Sequence, residues 1–301
     1  GELENQVKEL GGRVLRVPLP SNVLINFYLH VRRILRKEGP YDVVHSHPLF
    51  ISGLIMKAAY KEKVPIRIAH AHSARDNLGI PLKKKLYNSV MQYCLRKYSN
   101  NFLACSFSAG NYLFGAKFFG EKGQIINNGV DLERFNFDIA ARNKVRNHFN
   151  LDKKFVIGHV GRLSDVKNQI FVLEVFSKVK QKYSDSILII VGDGPNKEEL
   201  ISYAKDLQIF EDVIFLGSRN DVNELLQGMD LLLFPSKYEG LGIVILEAQA
   251  TGLRCVISDI IPNEVDITSL VSRLSLDENP DVWANEVLKY NYHYKRETPT
   301  F

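Results

Sequence analysis

Two acids in one loop-and-helix stretch carry the most specific chemistry in this chain. Glu239 and Glu247 stand in SKYEGLGIVILEAQATG, residues 236–252, with seven residues between them and Gly240 and Gly242 just after the first. Glycine lacks a Cβ and lets backbone amides come close to a ligand. A helix that starts there aims unpaired N–H groups and the positive end of its dipole at the loop, which makes a seat for phosphate. Glu247 falls about two turns after Glu239, facing back along that helix. A diphosphate at the helix start would then have an acid on each side, suited to hydroxyls, and the ligand this suggests is a sugar nucleotide. A buried strand that turns into a helix needs such glycines anyway, and surface glutamates are common. On this stretch alone both readings stay open.

A second set is basic. Gly161-Arg162-Leu163 follows an apolar run, and Lys167-Asn168 comes shortly after. Arginine holds phosphate through paired hydrogen bonds and lysine as a point charge, so the two would flank a diphosphate. A surface basic pair ahead of a helix is the plainer alternative. Gly192-Asp193-Gly194-Pro195 reads as a tight structural turn, with Pro195 in the first turn of the next helix. Four histidines, His45, His47, His70 and His72, lie at strand ends in the first half. They suit a sugar hydroxyl, a leaving phosphate, a metal or a structural role. No acid or cysteine of metal-site spacing accompanies them, so no metal is expected.

These residues need strands and helices to hold them. Residues 12–17, 43–46, 66–70 and 102–105 read as strands in the first half, and 155–160, 187–191, 213–216, 231–234 and 255–258 in the second. Helical spacing covers 23–36, 49–60, 81–98, 169–182, 197–207, 222–229 and 243–250, with Ser108 as a cap for another helix and a short helix within 131–151. Strand and helix alternate in each half. That predicts an α/β chain of two Rossmann-like, doubly wound parallel-sheet domains, 1–135 and 136–301, facing a cleft.

Composition sets the class. The chain has 301 residues, 45% hydrophobic and 24% charged, enough for two domains with sizeable cores. No apolar run is long enough to span a bilayer. Cys94, Cys105 and Cys255 have no metal or redox spacing and read as free thiols of a reducing cytoplasm. There is no signal peptide, and the opening GELENQVKELGG without methionine suggests a processed or trimmed start. Residues 1–130 hold 19 Lys+Arg against 8 Asp+Glu, and residues 131–301 hold 20 against 26. The basic first half suggests an anionic partner, a membrane surface or a phospholipid-linked substrate, or else an ordinary solvated face. Lys83, Lys84 and Lys85 beside apolar residues of the 81–98 helix fit peripheral membrane contact or a solvated face. No aromatic stacking platform points to nucleic acid.

The motifs together resemble a family. DVVHSH at 42–47, RIAHAHS at 67–73, ACSFSAGNYLFG at 104–115, NNGVDLERF at 127–135, GHVGRLSDVKN at 158–168, VGDGP at 191–195, FLGSRNDV at 215–222 and the 236–252 stretch are similar to retaining glycosyltransferases of the GT-B fold. The likeness is to glycosyltransferase family 4 and its capsular and exopolysaccharide members. The resemblance implies that Gly161, Arg162 and Lys167 hold the donor diphosphate and that Glu247 binds the nucleotide ribose. Glu239 contacts the donor sugar, helped by the amides of Gly240, Leu241 and Gly242. It implies His72 as the active-site histidine and His47 on the acceptor side. The activity implied is retaining transfer from a nucleotide sugar, a UDP-sugar by preference, to a polysaccharide or lipid-linked acceptor. It needs no metal or other cofactor and takes place in the cytoplasm or at the inner face of the membrane. Front-side displacement is the favoured course, since no residue is an obvious covalent nucleophile. A non-catalytic sugar-nucleotide-binding protein and a sugar-nucleotide epimerase are the alternatives. The family's opening strand and glycine loop have no counterpart before Gly11-Gly12, and its last helices none beyond Trp283 and the polar tail 291–301. An incomplete first sheet with an exposed strand edge is therefore expected.

Overall fold

The computed structural model describes residues 3–17, 24–73, 81–291 and 296; Val23 and nearly all of the tail from 292 lie outside them. Contacts divide the chain into two units, one of residues 1–72, 77–104 and 110–126, the other of 73–76, 105–109 and 127–301. The division falls after residue 126, upstream of the expected 135.

The first unit opens with α1 (Leu3–Glu9), then α2 (Leu24–Glu38), β1 (Val43–Ser46), α3 (Ser52–Lys61), β2 (Ile66–Ala71), α4 (Leu82–Tyr98), β3 (Asn101–Ala104), α5 (Phe107–Phe114), whose residues 107–109 count with the second unit, α6 (Ala116–Lys122) and β4 (Gly123–Ile125). Its strands are parallel in the order β1-β2-β3-β4. In the paired region, His45 stands opposite Ile68 and Ser46 opposite Ala69. Successive strand residues point to opposite faces, so His45 and His47 share a face with His70 and His72. Residues 12–17, expected as a strand, are exposed and irregular. Alternating apolar residues make a strand only when a ladder partner satisfies their backbone, and none of the described strands pairs with them. The missed β4 is too short and too polar to show a period. Ser106, and not Ser108, caps α5, since its Oγ accepts from Ala109 N at 3.2 Å.

The second unit runs α7 (Ile139–His148), β5 (Phe155–Val160), α8 (Gln169–Lys182), β6 (Ser186–Val191), α9 (Lys197–Asp206), β7 (Val213–Gly217), α10 (Val222–Gly228), β8 (Leu231–Phe234), α11 (Ile243–Ala250), β9 (Arg254–Ser258), β10 (Val271–Leu274) and α12 (Pro280–Leu288). All six strands are parallel, in the order β10-β9-β8-β5-β6-β7. Numbered from β5 as first strand, this is the 3-2-1-4-5-6 order of a dinucleotide-type sheet, and its order reverses between β5 and β8. Both central strands are almost wholly apolar, with His159 as the exception in β5, because helices cover both faces of such a sheet. Leu231, Leu232, Leu233 and Phe234 are each fully buried. Ile157, Leu188, Val172, Phe176 and Trp283 lie in one core cluster, where each large side chain contributes roughly 1.5–3 kcal/mol by leaving water. Pro195 precedes Asn196, the cap of α9, and so lies outside the helix it was expected to open.

Candidate functional site

In a sheet of this order the crevice for a ligand opens beyond the carboxyl ends of the strands where the order reverses. In the second unit that point lies after β5 and β8. Gly161, Arg162 and Lys167 leave β5; Glu239, Gly240, Leu241 and Gly242 leave β8. The fold therefore places both predicted clusters at its one switch point.

Hydrogen bonds stitch the two loops together. Lys237 N donates to Val166 O at 2.8 Å, and Asn168 Nδ2 to Pro235 O at 3.1 Å. Lys167 crosses the seam. Its Nζ lies 2.5 Å from Glu239 Oε1 and 4.8 Å from the centre of the Phe234 ring, a cation–π distance. The lysine stem passes over Gly161, 3.5 Å from where a Cβ would stand. Arg162 is exposed at the mouth.

Beneath the seam lies a buried support that the sequence did not reveal. His159 is fully buried at the end of β5. Its Nδ1 is 2.9 Å from Leu233 O and its Nε2 is 3.2 Å from Gln169 Nε2. A carbonyl only accepts and an amide nitrogen only donates, so the ring is neutral with its proton on Nδ1. Burial pushes its pKa down to about 4. Gln169 also donates to Arg162 O at 2.9 Å and accepts from Ser164 N at 3.3 Å, which fixes the backbone that presents Arg162.

Two glycines set the shape of the crevice. Gly192 has φ +138°, and a Cβ there would stand 2.0 Å from Gly161 O, so the turn after β6 can pack against the Arg162 loop only as glycine. Gly242 has φ +89° and lies directly before α11. Leu241 is buried while Glu239 retains 11% side-chain exposure. Ser106 Oγ donates to Gly240 O, and Glu264 accepts from Phe107 N at 3.0 Å; neither residue was expected here. A cavity of about 280 Å³ lies alongside, lined by Asn127, Val130, Leu241, Leu246 and Glu264 among others, which brings the start of the NNGVDLERF motif to the glycine loop. Glu247 is half-buried on α11. Burial raises its pKa above the ordinary carboxylate value, and the charge of Arg134 opposes that shift.

In the first unit the two His-x-His pairs meet. His45 Nε2 is 3.2 Å from His70 Nδ1, and His47 Nδ1 is 2.7 Å from His72 Nε2. His70 is buried and its pKa falls to about 4, through burial first and then its three neighbours; burial lowers His45 and His72 as well. His45 and His47 are exposed. The spacing within each pair was visible in the sequence, but their convergence depends on β1–β2 pairing.

Known proteins share this organisation. Residues 1–134 match the family described as "Glycosyltransferase Family 4", and residues 141–290 the family described as "Glycosyl transferases group 1". EpsF of Bacillus subtilis (strain 168), a glycosyltransferase by name, is 35% identical over 291 residues, spanning 95% of this chain and 76% of its own. An Escherichia coli protein named UDP-Gal:alpha-D-GlcNAc-diphosphoundecaprenol alpha-1,3-galactosyltransferase is 30% identical over 243 residues, 79% of this chain and 61% of its own. Among solved structures, Anabaena HepE in complex with UDP-glucose superposes with a TM-score of 0.81 at 20% identity, over 96% of this chain and 79% of that one.

Proposed function

The chain is a glycosyltransferase and belongs to glycosyltransferase family 4, and we propose that it moves a sugar from a UDP-sugar to a lipid-linked or growing saccharide with retention of configuration. The observation that carries this is the Lys167–Glu239 pair at the switch point of the second sheet, with Arg162 at its mouth and α11 starting beside it. The leaving nucleoside diphosphate gains negative charge as the glycosidic bond breaks. Arg162 and Lys167 supply fixed positive charge there, and the first amides of α11 add theirs. In this reading cationic side chains and a helix end do what a metal would do at the leaving group, so the transfer needs no cofactor. Glu239, held by Lys167, accepts from donor-sugar hydroxyls, and Glu247 accepts from the ribose. Burial that raises the Glu247 pKa also strengthens any hydrogen bond it makes. We assign His72 as the active-site histidine and His47 to the acceptor side, and we favour front-side displacement, in which the departing phosphate helps take the acceptor proton. The uridine base and the lipid diphosphate acceptor are supported by the names of the Escherichia coli relative and the HepE complex.

Peripheral membrane contact belongs to the same proposal. No helix among the described residues is long and apolar enough to cross a membrane. Along α4, however, Leu82, Leu86, Val90 and Tyr93 are 82%, 66%, 48% and 58% exposed, while Met91, Cys94 and Leu95 fill the opposite, buried face. The outward stripe is flanked by the exposed Lys83, Lys84 and Lys85. An apolar stripe with a basic border suits the surface of an anionic bilayer, where a lipid-linked acceptor lies.

The direct test incubates the protein with UDP-sugars and an undecaprenyl-diphosphate-linked acceptor, and reads the anomeric proton of the product. A lengthened acceptor with the donor's α configuration supports the proposal. Inversion removes retention from it. Conversion of the donor without acceptor indicates an epimerase. Tight UDP binding without any transfer indicates a binding protein.

A further inference from the structure

The four-histidine cluster of the first unit has more nitrogen donors than the transfer reaction uses. One nitrogen each of His45, His47 and His70 lies within 4.8 Å of the others. The ring centroids of His45 and His47 are 4.2 Å apart, and those of His70 and His72 are 4.0 Å apart. Imidazole nitrogens bound to zinc at about 2.0–2.1 Å in a tetrahedron stand about 3.3 Å from one another. The 3.2 Å between His45 Nε2 and His70 Nδ1 is such an edge. His70 is 8% exposed, so its ring is held in the interior, and the nitrogen it offers to an ion is the Nδ1 turned toward His45.

We propose that His45, His47 and His70 form a three-imidazole site for a borderline divalent transition metal ion such as Zn²⁺, with His72 as the residue that orients His47. If His47 donates its Nδ1 proton to His72 Nε2 across their 2.7 Å contact, His47 Nε2 is left as a free lone pair. This is the usual outer hydrogen bond of a metal-bound histidine, with imidazole in place of carboxylate. The donor set is all nitrogen, which favours Zn²⁺, Ni²⁺ or Cu²⁺ over Mg²⁺ or Ca²⁺. His45 and His47 are exposed, so an ion can enter and exchange, and three protein ligands leave a position open to solvent or to a ligand oxygen. His47 and His72 also carry roles in the proposed transfer, and the metal site stands whether or not that transfer does.

The test uses untagged, chelator-treated protein titrated with Zn²⁺ by calorimetry and with Co²⁺ by visible absorption. The expected result is one ion per chain at micromolar affinity or tighter, with cobalt bands of imidazole coordination. His45→Gln and His47→Gln, both exposed positions that leave the fold intact, should each weaken binding at least about tenfold, a loss of roughly 1.4 kcal/mol. His148→Gln should not change it. No saturable uptake by the folded wild type overturns the proposal, as does uptake that is unchanged in the His45→Gln, His47→Gln double variant. Neither readout depends on sugar transfer.

Discussion

Lys167 and Glu239 stand 72 positions apart in sequence and 2.5 Å apart in space, with side chains 21% and 11% exposed. An ion pair this sheltered adds little net stability, because desolvating both charges offsets most of their attraction. What it fixes is position: an ammonium and a carboxylate side by side where the sheet order reverses. In the proposed reaction the first faces the diphosphate and the second the sugar.

The two charges should therefore fail differently. Lys167→Ala should weaken UDP binding about 10-fold or more and lower turnover by about 10²–10³. Glu239→Gln keeps the shape and loses the charge; it should lower kcat by a similar factor and leave the UDP Kd within a few-fold. Calorimetry alongside steady-state kinetics separates the two. Equal losses of UDP affinity in both variants would mean that the pair acts only as a structural unit.

His159 predicts how the second unit responds to acid. Its pKa is about 4 when folded and 6.5 as the ordinary value. Between these values the unfolded chain binds more protons, so stability is fully present above about pH 6.5 and falls as pH drops toward 4. The full effect is roughly 3 kcal/mol. His159→Asn is less stable at neutral pH but has no proton to gain there. The gap between wild type and variant should shrink by about 2 kcal/mol from pH 7 to pH 5 in denaturant titrations. A constant gap would contradict a neutral, buried ring.

Asp230 braces the far end of the same sheet. It pairs with Arg142, lies 3.1 Å from Arg146, and accepts from Val156 N at 2.8 Å. Removing it leaves two largely buried guanidinium groups with backbone carbonyls but no carboxylate to balance their charge. Asp230→Ala should cost about 3–5 kcal/mol in chemical denaturation, while the UDP affinity of the protein that remains folded stays at the wild-type value.

The exposed stripe of α4 predicts salt-sensitive binding to anionic vesicles. Replacing Lys83, Lys84 and Lys85 together with Gln should remove roughly 1 kcal/mol per charge at low ionic strength. Leu86→Asp should abolish what remains. Vesicle co-sedimentation that is the same for wild type and the triple variant would exclude this face as the contact.

Legibility followed burial. Strands β5 and β8 and helices α8 and α11 were readable to the residue, because each is a continuous apolar or strongly periodic run bounded by Gly, Pro or polar residues. The edge strand β10 and the helix α12 beyond it escaped notice, since VSRL is half-exposed and carries an arginine. Residues 12–17 looked like a strand and are not one, because pairing is a property of the partner as much as of the segment. In the site, Glu239, Glu247, Arg162 and Lys167 could be named from motif spacing. The Lys167–Glu239 contact, the His159–Gln169 support, Ser106 and the meeting of the four histidines could not, since each joins residues far apart in the chain or rests on strand register.

The central claim is a nucleotide-sugar donor site at the β5/β8 switch point of the second unit. Calorimetric titration with UDP, GDP and ADP, on wild type and Glu247→Ala, tests it most directly. The account predicts saturable binding of UDP in preference to the others, weakened about 10-fold or more by the substitution, the loss expected for a hydrogen bond to a charged group. No saturable nucleotide binding by folded protein, or equal UDP affinity in wild type and Glu247→Ala, would contradict it.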